Sequence, residues 1–392
     1  MNTENMFNEN ILKLKPSASV AMTDRAREMK TLGIDVISLS GGEPDFDTPK
    51  SVVEAGIRAI KDGHTHYCAG RGILPLRERI AVKLNEENGI KCTAENILVT
   101  PGGKIGVYQT LFTLINPGDQ VIILDPSWVS YAPMVVMAGG VPVHVSLSFE
   151  NNYIITQEAL AGAYTSKTKI LIVNSPNNPT GRVMTSSEAE TIRKFVREHN
   201  ITVIADEVYE KIIFDSAKHI SLGSFEDIAP DVVTVNSFSK SVAMTGWRVG
   251  YICASKQITD KIYLSYQHSL TCISEFSQIA AIRALDCDSE IEAMRQSYEK
   301  RRNFAISRIK EIPGFSCIVP QGAFYAWCKI EQNKVKDSEI CSYILENAKV
   351  ACIDGSSFGK DSKNCIRMCF AASEKDLEEA IRRIGKVFCH LF

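Results

Sequence analysis

Lys240 lies in Ser237-Phe238-Ser239-Lys240-Ser241, directly after the apolar run 231–237 (DVVTVNS). A lysine amine is a nucleophile only when deprotonated, and small hydroxyl neighbours at a strand end can leave it desolvated enough for that. Other apolar runs end in complementary chemistry. After 96–100 (NILVT) comes Pro101-Gly102-Gly103-Lys104, where glycines open backbone amides to an anion and a following helix adds its dipole. After 120–125 (QVIILD) comes Pro126-Ser127-Trp128, and an indole there can stack on a flat ring. After 169–175 (KILIVNS) comes Pro176-Asn177-Asn178-Pro179-Thr180-Gly181, a stiff turn that holds an amide donor. The run 201–207 (ITVIADE) closes on Asp206 and Glu207, followed by Tyr209, and a buried acid is costly without a cation. Arg248 opens 248–254 (RVGYICA) with a planar fork for phosphate or carboxylate.

Taken singly, each feature has an ordinary reading. The glycine run is equally a plain turn, the Trp a core residue, the Asp a helix N-cap, the Lys and Arg surface charges. Together they supply an anion cradle, a stacking ring, a polar clamp, a buried acid, an amine and a guanidinium. A flat, phosphorylated, protonatable aromatic aldehyde needs that set.

The elements must bring these ends together. The six runs are rich in β-branched residues and apolar on both faces, as strands buried in a parallel sheet are. Helical patterns separate them; Thr185-Ser186-Ser187-Glu188 is a capping box that opens a helix to about His199. This alternation predicts an α/β domain with a mainly parallel sheet, and ligands bind beyond the carboxyl ends of such strands. The last hundred residues differ. A charged helix at about 289–311, short strand-like runs and a terminal amphipathic helix, 374–391, indicate a smaller α+β domain. The first forty-odd residues, with a helix at 18–32, are expected to join it.

Composition sets the limits. A chain of 392 residues exceeds one ordinary core, so two domains are expected, 49–288 and the combined 1–48 and 289–392. A net charge of −2 provides no global field for nucleic acid or anionic lipid. Twelve cysteines at irregular spacing, with no CxxC or Cys/His cluster, predict free thiols in a reducing compartment and no metal site. The polar N-terminus lacks a signal pattern and no apolar run reaches bilayer length, so the expected location is cytoplasmic.

The runs SGGEPDFDTP (40–49), TPGGK (100–104), PSWVSY (126–131), NSPNNPTG (174–181), ADEVYE (205–210) and SFSKSVAMTGWRVGY (237–251) resemble the signature of the class I/II aminotransferases. The likeness follows the family's order over nearly the whole chain, and it is strongest to the bacterial aspartate aminotransferase branch. It implies pyridoxal 5′-phosphate (PLP) fold type I, with a mainly parallel seven-stranded sheet in the large domain. It implies that Lys240 holds the cofactor as a Schiff base and then shuttles the proton, with Asp206 on the pyridine nitrogen. Asn178 and Tyr209 would bond the phenolic oxygen, and Trp128 would stack on the ring. The amides of Gly103 and Lys104, with Ser237, Ser239 and Arg248, would hold the phosphate, joined by Tyr67 from the neighbouring subunit of a homodimer. Arg367 would clamp the substrate α-carboxylate, assisted by Gly42, Asn178 and Trp128.

The implied reaction moves an amino group from an L-amino acid, aspartate first, to a 2-oxo acid such as 2-oxoglutarate, ping-pong through pyridoxamine phosphate. Lys15, Arg71 and the stretch 266–275 are the candidates for reading a distal carboxylate. Aromatic or other amino donors are the alternative, and lyases, cyclopropane-forming synthases and oxidases share the scaffold. A non-catalytic PLP-binding regulator would need a basic DNA-binding module, which these first residues do not provide. A nicotinamide dehydrogenase is disfavoured because G-x-G-x-x-G is missing.

Overall fold

The computed structural model describes residues 6–332 and 334–389. The first strand, β1 (Ile37–Ser38), does not enter the large sheet. It pairs in parallel with β11 (Val350–Ala351), which ties the N-terminal segment to the C-terminal part of the chain.

The large sheet is built from β2 (Ile97–Thr100), β3 (Gln120–Asp125), β4 (Val141–Ser146), β5 (Thr168–Asn174), β6 (Thr202–Asp206), β7 (Val232–Ser237) and β8 (Gly250–Cys253). Their spatial order is β2-β8-β7-β6-β5-β3-β4. Every residue of β2, β7 and β8 is buried, because the sheet is covered on both faces. Only β8 runs against its neighbours, β2 and β7. The carboxyl ends of β2, β3, β5, β6 and β7 therefore share one edge, and Gly250 at the start of β8 joins them there.

Six of the seven strands fall on the runs read from the sequence, within a residue or two. The run at 248 starts late, at Gly250, because Arg248 has φ +57, a left-handed conformation that a strand cannot hold. The seventh strand, β4, has the sequence VPVHVS and is largely exposed. It pairs only with β3, so Pro142 costs no ladder bond on its outer side. That polar, proline-containing composition hid it.

The second sheet is antiparallel, in the order β12 (Ile353–Asp354), β13 (Cys365–Cys369), β10 (Tyr325–Ile330), β9 (Phe315–Cys317). Helices 288–309, 340–348 and 374–388 pack with it around a core that includes Tyr298, Phe324, Ile344, Ile384 and Phe388. The helix expected at 374–391 ends at Phe388, and residues 390–391 lie outside the described ones. The capping box at 185–188 is present: Glu188 N donates to Thr185 Oγ1 (3.2 Å), and Thr185 N donates to Glu188 Oε2 (3.0 Å).

The N-terminal helix, Ala18–Thr31, buries Ala26 and Met29 against Val36, Leu345 and Ala351. Its opposite side faces the strand ends. Among the described residues no helix is long and apolar enough to cross a membrane.

Candidate active site

A cavity of about 520 Å³ opens at the shared strand edge, beneath the Ala18–Thr31 helix. Its walls include Gly42, Gly103, Lys104, Trp128, Asn178, Asp206, Tyr209, Ser237, Ser239, Lys240, Arg248 and Arg367. Of the residues expected to hold the cofactor or the substrate α-carboxylate, only Tyr67 stands apart; it is 88% exposed.

One end of the cavity is an anion cradle. Gly102, at φ +81, precedes the helix Gly103–Leu114. A Cβ on Gly102 would meet Arg248 Nη2 at 2.6 Å, and one on Gly250 would meet the Gly103 amide at 2.8 Å. Both positions thus require glycine, and Gly103 and Lys104, which carry the helix's first amides, line the cavity. Arg248 is pinned by donating to Thr245 O (2.8 Å) and Pro101 O (3.0 Å). Ser237 Oγ accepts from Ser239 N (3.1 Å) and lies 2.8 Å from Ser239 Oγ. A guanidinium, two hydroxyls and a helix N-terminus suit a phosphate.

Asp206 closes β6 on the cavity floor. Its Oδ2 accepts from Tyr131 Oη at 2.6 Å and its Oδ1 from Val208 N at 3.4 Å. Burial raises its pKa to about 6, against the Tyr131 bond, which lowers it. No lysine or arginine pairs with it among the described residues. A protonated ring nitrogen would supply the cation this buried carboxylate lacks.

Lys240 stands on the short helix after β7, with Nζ bonded to the Gly42 carbonyl. Burial lowers its pKa to about 8; Cys369 and Glu43 oppose that, while Arg367 and Arg248 add to it. An amine so poised is partly neutral near physiological pH, as a carbonyl-attacking nucleophile must be.

Groups from the two sheets meet at Arg367. Arg367, at the middle of β13, is 3% exposed. Its Nη1 donates to Asn178 Oδ1 (3.0 Å) and its Nη2 to Ser40 O (2.8 Å), with the guanidinium 4.4 Å from the Tyr325 ring. Asn178 is itself held: its N–H donates to Asn174 Oδ1 (2.8 Å), while Asn174 Nδ2 donates to Asp206 O (3.0 Å). Tyr209 Oη lies 2.8 Å from Tyr325 Oη. Trp128 forms a wall, with Tyr131 edge-on at 5.3 Å and Lys104 Nζ at 5.0 Å from its ring.

The cavity therefore holds every part demanded by a flat, phosphorylated, protonatable aromatic aldehyde. The sequence reading missed Tyr131, Tyr325 and the helix residues Ser19, Val20 and Thr23, which also line it. Tyr131 was within reach, three residues past Trp128 in a recognised run; Tyr325 and the helix carried no comparable signal. Arg71 is a correction. It pairs with Asp260, lies 4.8 Å over the Tyr263 ring and does not line the cavity. Lys15 is exposed and does not line the cavity. In the stretch 266–275, Tyr266 is buried and Glu275 faces His64 at 3.2 Å.

The family model described as aminotransferase class I and II matches residues 34–384. The aspartate aminotransferase of Musicola paradisiaca is 39% identical over 381 residues, spanning 96% of this chain and 95% of its own. A probable aspartate/prephenate aminotransferase of Aquifex aeolicus is 38% identical over 380 residues, spanning 95% of this chain and 96% of its own. The solved aspartate aminotransferase of Thermus thermophilus with maleate superposes with a TM-score of 0.93 at 36% identity, covering 97% of this chain and 99% of that one.

Proposed function

The chain belongs to the class I and II aminotransferases and is a pyridoxal 5′-phosphate-dependent transferase of amino groups, and on that premise we propose that its amino donor is aspartate and that the cavity residues divide the work as follows. When bound, the cofactor supplies an aldehyde that condenses with amines and a protonated ring that accepts the electron pair left at Cα. The chain does the rest. Lys240 holds the cofactor and, once displaced by substrate, moves the Cα proton on its Nζ as base and then acid. Asp206 stays anionic against the ring nitrogen. Asn178 and Tyr209 hold the phenolic oxygen, with Trp128 on the ring face. Gly103, Lys104, Ser237, Ser239 and Arg248 bind the phosphate.

Arg367 orients the α-carboxylate, with Asn178 and Gly42 beside it. The observation that carries the dicarboxylate reading is a second cation in the cavity, beside the Trp128 ring. The Lys104 ammonium lines the cavity over Trp128, burial and Arg248 lower its pKa, and no carboxylate pairs with it among the described residues. A distal carboxylate would complete it. The maleate-bound Thermus thermophilus relative, which carries a dicarboxylate, supports the same assignment.

The working unit is a homodimer in which Tyr67 reaches the partner's phosphate. Its exposure, with that of Ile57, Ile60 and Leu74 nearby in sequence, supports this. Twelve free cysteines support a cytoplasmic setting.

The deciding assay mixes the holoenzyme with a panel of amino acids and then of 2-oxo acids, following loss and return of the visible cofactor band. Aspartate and glutamate should react fastest, with 2-oxoglutarate or oxaloacetate restoring the band. Faster reaction with aromatic donors would replace the aspartate assignment.

A further inference from the structure

The twelve cysteines are free, and the reaction uses none of them. Two pairs have sulfurs 3.4 Å apart, Cys317 with Cys328 and Cys341 with Cys352. Cys341 and Cys352 are both buried. The other pair differs. Cys328 is buried on β10, but Cys317 is partly exposed on β9, the edge strand of its sheet.

The backbone presets this pair. Cys317 and Cys328 are direct cross-strand partners. Glu331 N donates to Gly314 O at 2.8 Å, which marks 331 and 314 as a hydrogen-bonded pair. Pair types alternate along an antiparallel ladder, so 329/316 is bonded and 328/317 is not. Non-bonded partners stand closest, about 4.5 Å between Cα atoms, inside the range of about 4.4–6.8 Å that a disulfide spans. Side-chain rotation can then close the sulfurs to a bond without moving either strand.

We propose that Cys317 and Cys328 form a reversible thiol-oxidation site whose oxidant is a small-molecule disulfide of the glutathione-disulfide class, RSSR. The Cys317 thiolate attacks one sulfur of RSSR. A bond forms between Cys317 and RS, the RS–SR bond breaks, and the leaving thiolate takes up a proton. Cys328 then gives up its proton and attacks the Cys317 sulfur, expelling the second RS as RSH. Two protein thiols and one RSSR become one protein disulfide and two RSH, so the two electrons lost by the protein reduce the oxidant. The order follows access. Burial pushes the Cys328 thiol well above its ordinary value, so it reacts only once an electrophilic sulfur stands beside it. The bond would fasten edge strand β9 to β10, the neighbour of the strand that carries Arg367.

Both cysteines fall in one tryptic peptide, Glu311–Lys329. The test incubates holoenzyme with glutathione disulfide, alkylates under denaturing conditions, and weighs that peptide. Expected is loss of both alkyl labels, a mass lower by two hydrogens than the unlabelled dithiol, and return of both labels after dithiothreitol. Cys328→Ser should stop with one glutathionyl group on Cys317; Cys317→Ser should leave Cys328 a labelled thiol. A wild-type peptide that keeps both labels, or that retains the glutathionyl group, overturns the proposal. That wild-type result stands whether or not either variant folds.

Discussion

Tyr131 Oη donates a 2.6 Å hydrogen bond to Asp206 Oδ2, across a separation of 75 residues. The bond favours the carboxylate over the acid and so works against the burial that raises Asp206. Tyr131→Phe should remove that support without altering the shape of the site. Asp206 then protonates at higher pH, and the acidic limb of the kcat–pH profile should move up by about one unit, the size expected for a hydrogen bond to a charged group. An unmoved limb at the wild-type rate would reduce Tyr131 to packing.

Asp206 also sets a pH dependence of stability in cofactor-free protein. Its pKa is raised from 3.8 to about 6, mainly by burial. Between about pH 4 and 6 the native state therefore holds more protons than the unfolded state, and stability falls as pH rises through that window and stays lower above it. Two units correspond to roughly 3 kcal/mol. Denaturant titrations should show wild type losing that much more stability than Asp206→Asn between pH 4 and pH 8. Parallel curves for the two proteins would show that the carboxyl ionises at no cost.

The two cations proposed to meet substrate, Arg367 and Lys104, should separate by substrate. Arg367→Lys loses the planar fork proposed to meet every α-carboxylate, so kcat/KM should fall about 100-fold or more for all amino acids. Lys104→Met should lower kcat/KM about tenfold or more for aspartate and glutamate while sparing alanine. A uniform loss across donors in the Lys104 variant would argue that its ammonium serves the cofactor alone.

The proposed sharing of sites between subunits is open to a complementation test. Lys240→Ala should lose turnover and the visible band of bound cofactor. Tyr67→Ala should bind cofactor more weakly. A hybrid of the two has one site with both native residues, so refolding the mixture should recover activity that Lys240→Ala lacks and raise cofactor affinity above that of Tyr67→Ala. Failure to gain either would confine Tyr67 to its own subunit.

What could be read beforehand followed strand ends. Lys240, Asp206 and Asn178 each close or follow an apolar run, and such runs mark their own termini. β4 stayed hidden because an edge strand is only half buried and tolerates proline. Arg71 misled because its partner, Asp260, lies 189 residues away. Arg367 was accessible only through family likeness: it meets Ser40 across 327 residues, and no local pattern encodes that approach. Tyr325 faces Tyr209 in the same manner, 116 residues apart.

The pairing of β1 with β11, and of Arg367 with Ser40, has a temporal meaning. During synthesis, every residue proposed to cradle phosphate and ring within one subunit has emerged by residue 250, whereas Arg367 waits for β13, which must fold back so that its guanidinium meets Ser40 just past the first strand. A nascent chain is therefore equipped to capture its cofactor well before it can recognise an amino acid, and substrate recognition matures last.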